Sequence, residues 1–143
     1  MARFSASATQ VGTKTALRGP NIVVGAKDLL LREVGVESTT AVSSQVALIR
    51  ISARSSTGAT AITEVDWEND AQAPVSSVEH GQTADNTGVT GNIRTAHLPA
   101  AIGGGTIWTF DGLRVRGGSG DGFCIILPGG SDAVINWYFD WEE

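Results

Sequence analysis

The residues most able to do chemistry are the two histidines, the single cysteine, the glycine clusters and one acidic run. His80 and His97 each stand alone in polar surroundings. A cupin-type or zinc centre needs more ligands converging than two such histidines provide. Gly117-Gly118-Ser119-Gly120-Asp121 comes close to the Gly-X-Ser-X-Gly elbow of serine hydrolases but lacks the final glycine. It also has no strand-to-helix setting to strain the turn. No phosphate-cradling loop exists, since neither Lys14 nor Lys27 follows the required glycines. Gly103-Gly104-Gly105 and Gly117 to Gly122 read as turns, where glycine tolerates positive φ. The run Glu64-Val65-Asp66-Trp67-Glu68-Asn69-Asp70 places alternate carboxylates on one side of an extended chain, a hard-oxygen arrangement suited to Ca²⁺. The EF-hand spacing fails, with Ala71 at the glycine position and Ser77 at the terminal glutamate. The run therefore reads as a solvated strand end or loop. Cys124 lies in the apolar run Phe123-Cys124-Ile125-Ile126-Leu127 and reads as a small buried hydrophobe. No catalytic residue, metal ligand or cofactor site is expected from these patterns.

The elements that would position such residues are short strands. β-branched residues and turn formers recur throughout, and helical periodicity is hard to find. Strands are expected at 22–24, 29–36, 45–54, 57–65, 106–110, 113–116, 123–127 and 133–141, and a hydrophobic stretch at 93–102 is broken by Pro99. In the second, Leu30, Val34 and Val36 should share one face, with Glu33 and Glu37 on the other. Val46-Ala47-Leu48-Ile49-Arg50-Ile51 is apolar on both faces over part of its length, as in a central strand. Asp111-Gly112 sits between two strand-like runs and predicts a tight hairpin. Pro128-Gly129-Gly130 predicts a further turn. The last segment alternates plainly: Ala133, Ile135, Trp137, Phe139 and Trp141 point one way, and Val134, Asn136, Tyr138 and Asp140 the other. The polar stretch from Asp66 to Asn92 is long for a loop in a compact domain. Such loops are often functional, and a short strand near 74–78 fits within it.

About eight strands with regular turns predict an all-β, two-sheet antiparallel sandwich, a jelly roll first. The immunoglobulin alternative lacks the cysteine pair with its packed tryptophan. The chain of 143 residues is long enough for one self-sufficient core. Residues 26–143 are expected to form the sandwich, and the Ser/Ala/Thr-rich residues 1–25 an N-terminal arm ordered by assembly. A net charge of −5, with only Arg114 and Arg116 side by side, argues against nucleic-acid binding. No apolar run approaches the length needed to cross a bilayer, and the N-terminus lacks a secretory signal. Synthesis in a cytoplasm and no membrane partner are the expectation. With few long charged side chains, the surface is inexpensive to bury against a neighbour. Aromatic residues are favoured interface anchors, and Phe4, Trp67, Trp137 and Trp141 are the interface candidates.

Three stretches carry a resemblance. They are 30–40 with 46–50, then 100–110, and the terminal Asn136-Trp137-Tyr138-Phe139-Asp140-Trp141-Glu142-Glu143. Together they resemble a family of small tailed-bacteriophage virion proteins. The resemblance implies a jelly-roll module that decorates capsids or forms spike and fibre bases, often as a homotrimer, with no catalytic residues. It implies a virion location, with copies of itself and the major capsid protein or another virion protein as partners. The expected function is a capsid decoration (cement) subunit. The alternative is a receptor- or glycan-binding head of a spike or fibre, reading its ligand with the 66–92 loop around Trp67.

Overall fold

The structure, a computed structural model, describes residues 1–68, 73–89 and 91–143. Among them are eleven strands and no helix. In chain order these are β1 (Arg3–Gly12), β2 (Asn21–Val23), β3 (Leu29–Ser38), β4 (Ser44–Ile51), β5 (Thr60–Ile62), β6 (Val65–Asp66), β7 (Ser77–His80), β8 (Asn92–Leu98), β9 (Gly105–Val115), β10 (Gly122–Gly130) and β11 (Ala133–Glu142). One sheet runs β6-β1-β11-β3-β9 and the other β5-β7-β2-β10-β4-β8. With the three short strands β5, β6 and β7 set aside, the remaining eight pair in nested order. First pairs with last (β1·β11), second with seventh (β2·β10), third with sixth (β3·β9) and fourth with fifth (β4·β8). The pairs β11·β3 and β10·β4 then complete the two sheets. That nesting is the jelly roll.

The alternation of the last strand is realised. Ala133, Ile135, Trp137, Phe139 and Trp141 are all buried between the sheets. Their bulk explains the N-terminal segment. β1 pairs with β11 along its whole length, setting Ala6 beside Phe139 and Ala8 beside Trp137. Beside the Phe139 and Trp137 rings the neighbouring strand carries only methyl groups, so a Ser/Ala-rich segment becomes a sheet strand. The boundary at residue 25 moves accordingly: residues 3–12 and 21–23 belong to the sandwich itself.

Two further expectations change for local reasons. Arg32 is an extra residue in β3, because Glu33 faces Asp140 while Leu31 faces Trp141. This β-bulge reverses the parity of the strand. Leu29 and Leu31 therefore join Val34 and Val36 in the core, while Leu30 falls on the outer face. Asp111-Gly112 does not make a hairpin. β9 runs through it, and three residues between Thr109 and Leu113 bulge opposite Arg32. Gly112 keeps the positive φ, at 72°, but spends it on the bulge. Likewise β10 continues through Pro128 to Gly130.

The insertion between β4 and β8 decides which faces remain open. Its short strands widen both sheets on one side, β6 against β1 and β7 against β2. Its last part, together with residues 13–20, folds over the outside of the six-stranded sheet. There it closes a second apolar cluster of Ala47, Ile49, Ile51, Cys124 and Ile126, packed against Val23 and Val89. This roof is why β4 is apolar on both faces. Asn86 pins it: backbone N–H and side-chain Nδ2 both donate to the Leu17 carbonyl at 3.0 Å, and Oδ1 accepts from the Ser55 N–H at 2.9 Å. Nδ2 also lies 3.4 Å from the Cys124 sulfur. Burial pushes the Cys124 thiol well above the ordinary cysteine range. The insertion is also tied to the chain ends. The Glu143 carboxylate accepts the Val75 N–H at 2.6 Å and the Ser76 hydroxyl at 2.7 Å.

Candidate functional site

Among the described residues, none forms such a roof over the outer face of the five-stranded sheet. Pairing arranges its outward side chains in rows that cross the strands. The first row carries Arg3 and Glu142, with the bulged Arg32 beside them. The next carries Ser5, Asp140, Glu33 and Thr109. Then come Ser7, Tyr138, Gly35 and Ile107, and after them Thr9, Asn136, Glu37 and Gly105. The rows divide the face into a charged corner and a groove.

At the corner, Arg3 Nε donates to Asp140 Oδ1 at 2.9 Å, and its terminal amine reaches the other oxygen. The Arg3 guanidinium lies over the Trp67 ring, 4.4 Å from its centroid, a cation–π contact. Arg32 donates to Glu142 at 2.8 Å and holds that carboxyl below the usual carboxylate range. Val65 on β6 faces the same way as Ser5, its pairing partner. Val65 and Trp67 are 61% and 57% exposed, unusual for such side chains fixed by a strand and a stacked arginine.

The groove spans β1, β11, β3 and β9 and encloses about 730 Å³. Two glycines make it. Gly105 leaves its end of a row bare, and Gly35 lets the Tyr138 ring lie down across β3. A Cβ on Gly35 would come 1.9 Å from Tyr138 Cε1. The phenol donates to Glu33 Oε1, and burial, then the carboxylate, raise it above its ordinary value near 10. Thr9 Oγ1 donates to Asn136 Oδ1 at 2.6 Å, leaving the Asn136 amide hydrogens to the groove. Glu37 stands exposed at the groove edge, beside the exposed Ile107.

Tyr138 is the only tyrosine, so its titration reads out directly. Absorbance at 295 nm should stay flat through pH 10 in the native protein and rise only at more alkaline pH or on unfolding. The native state then keeps a proton that the unfolded state has lost. Stability should therefore fall as pH rises above about 10. Gly35→Ala should lift the ring off the sheet, return the phenol toward its ordinary range and cost about 1–3 kcal/mol of stability. A titration curve identical to that of the parent would contradict this geometry.

Of the four expected interface aromatics, three are interior. Phe4, Trp137 and Trp141 are buried within one chain, with Phe4 stacked 5.8 Å from Trp141. They are core residues, because β1 and β11 both turn them toward the opposite sheet. Trp67 alone is outside. The histidines are kept apart: β7 with His80 and β8 with His97 have β2, β10 and β4 between them. His80 lies against Trp137, and burial lowers its pKa. Ser119 accepts the Asp121 N–H within its own turn. In the acidic run, Asp66 Oδ1 accepts the Glu68 N–H, and Asn69 and Asp70 lie outside the described residues. Among the described residues no three His, Cys, Asp or Glu side chains converge as metal ligands. No helix there is long and apolar enough to cross a membrane.

The groove was not foreseen. Gly35 inside an otherwise bulky strand was its sequence signal, since an isolated strand glycine marks a close approach.

No family model matches the chain, and neither a curated protein nor a solved structure does.

Proposed function

We propose that the chain is a virion structural subunit, of the decoration type, that docks a neighbouring subunit through the Trp67 corner of its five-stranded sheet. The observation that carries this is the asymmetry of the sandwich. One outer face is sealed by the chain's own insertion. No described residue roofs the other, and Val65 and Trp67 are exposed at its edge. Tryptophan and arginine are the residues that most often anchor an interface. Here Arg3 holds Trp67 in place beforehand, so little side-chain entropy is lost on docking. The neighbours are the major capsid protein or another virion protein, and copies of this chain. The resemblance to small phage virion proteins and the jelly-roll fold support the same reading. The subunit acts by contact, with many copies adding their buried area to the shell.

Purified protein added to shells that lack it should bind saturably and raise their melting temperature. Trp67→Ser should weaken that binding about tenfold or more, as expected for an anchoring aromatic. Failure of the parent protein to bind, or equal binding by the variant, would count against the reading.

A further inference from the structure

The groove beside the corner has a chemistry of its own. It lies across the strands, and on β11 and β3 in its middle the main-chain groups are already used in the ladder. There, side chains are what a ligand meets. The Tyr138 ring forms part of the groove, laid on Gly35. Around it stand the Ser7 hydroxyl, the Asn136 amide donors and the Glu37 carboxylate. A nucleic acid or an acidic ligand would meet Glu37 with Glu33 behind it, on a chain of net charge −5.

We infer that this groove is a binding site for a neutral saccharide, with a pyranose unit stacked on Tyr138 and held at its hydroxyls by Glu37 and Asn136. Pyranose C–H groups carry partial positive charge and suit the negative face of an aromatic ring. A vicinal diol presents two O–H donors to one carboxylate, a charge-assisted pair. A sugar hydroxyl also accepts, which satisfies the Asn136 amide. The volume of about 730 Å³ falls within the usual range for small-ligand sites, and accommodates two or three sugar units. The site stands apart from the docking corner, so the virion reading is not required for it.

The test is an amide-shift NMR titration of the full chain with maltotriose, cellotriose and N,N′,N″-triacetylchitotriose, and with trigalacturonate as the acidic comparator. At least one neutral trisaccharide should shift Gly35, Glu37, Gly105, Ile107 and Tyr138 together. Glu37→Ala should weaken that binding about tenfold or more, and Asn136→Ala should weaken it too. Both residues are exposed, so neither change threatens the fold. Four outcomes would overturn the site: no groove shift with any of the three neutral sugars, shifts confined elsewhere, affinity unchanged in both variants, or trigalacturonate binding as well as the neutral sugars. Groove shifts that appear on raising protein concentration without sugar would identify a second copy as the occupant and overturn it as well. None of these results touches binding through Trp67, which the shell assay reads separately.

Discussion

Trp141→Ala should lower the unfolding free energy by about 3–5 kcal/mol, the cost of emptying a large buried aromatic site. Trp141 is fully buried, lies on the inward face of β11 and touches Phe4 across the pairing with β1. It stands next to the bulge at Arg32, where the sheet has no regular ladder to spread the loss. A domain of this size has a total stability of roughly 5–15 kcal/mol, so the variant should melt many degrees lower. Trp141→Phe should cost much less. It keeps most of the apolar volume, and it removes an indole N–H that has no partner among the described residues. Chemical denaturation of the three proteins checks the order. A Trp141→Ala change within about 0.5 kcal/mol of the parent, the range of ordinary surface substitutions, would mean that this ring is not in the core.

Asn86→Ala should produce the largest change in reactivity. Its side chain ties the Ser55 N–H and the Leu17 carbonyl together above Cys124. Removing it strands the Ser55 N–H, at about 1–3 kcal/mol, and loosens the roof over the six-stranded sheet. In the parent, Cys124 is fully buried and its thiol is held protonated. An aromatic disulfide reagent should therefore react with no thiol in the native state and with one per chain after denaturation. In Asn86→Ala the native-state reaction should speed up by about the change in local opening, roughly 5- to 150-fold for 1–3 kcal/mol. Equal rates in the two proteins would show that the roof is held by other contacts.

These two sites also show which parts of the molecule could be read from the chain. β11 was legible because its inward residues are large and strictly alternate. β4 was legible as two-sided, although what covered its second face was not. That cover comes from residues far along the chain, and its apolar contribution is little more than Val89. β1 was hidden for the opposite reason: its inward alanines carry little hydrophobic signal and become meaningful only beside Trp137 and Phe139. The Asp-Gly step correctly marked positive φ, but a bulge and a hairpin make the same local demand. Only the partner strand tells them apart. Most interface candidates turned inward because an aromatic residue satisfies a core and a contact equally well, and parity against the other sheet decides between them. Trp67 differs because its run is acidic, short and at an edge. The groove was illegible as a motif, since it is assembled from single residues of four strands whose register no local pattern gives.

Hydroxyl-radical footprinting of the protein, free and on the particle, tests the central claim most directly. In the free chain, Val65 and Trp67 should label strongly while Trp137, Trp141 and Cys124 stay protected. On the particle, Trp67 labelling should fall several-fold, with the protected set unchanged. Strong labelling of Trp137 or Trp141 in the free chain, or a Trp67 signal that the particle leaves unaltered, would contradict the account.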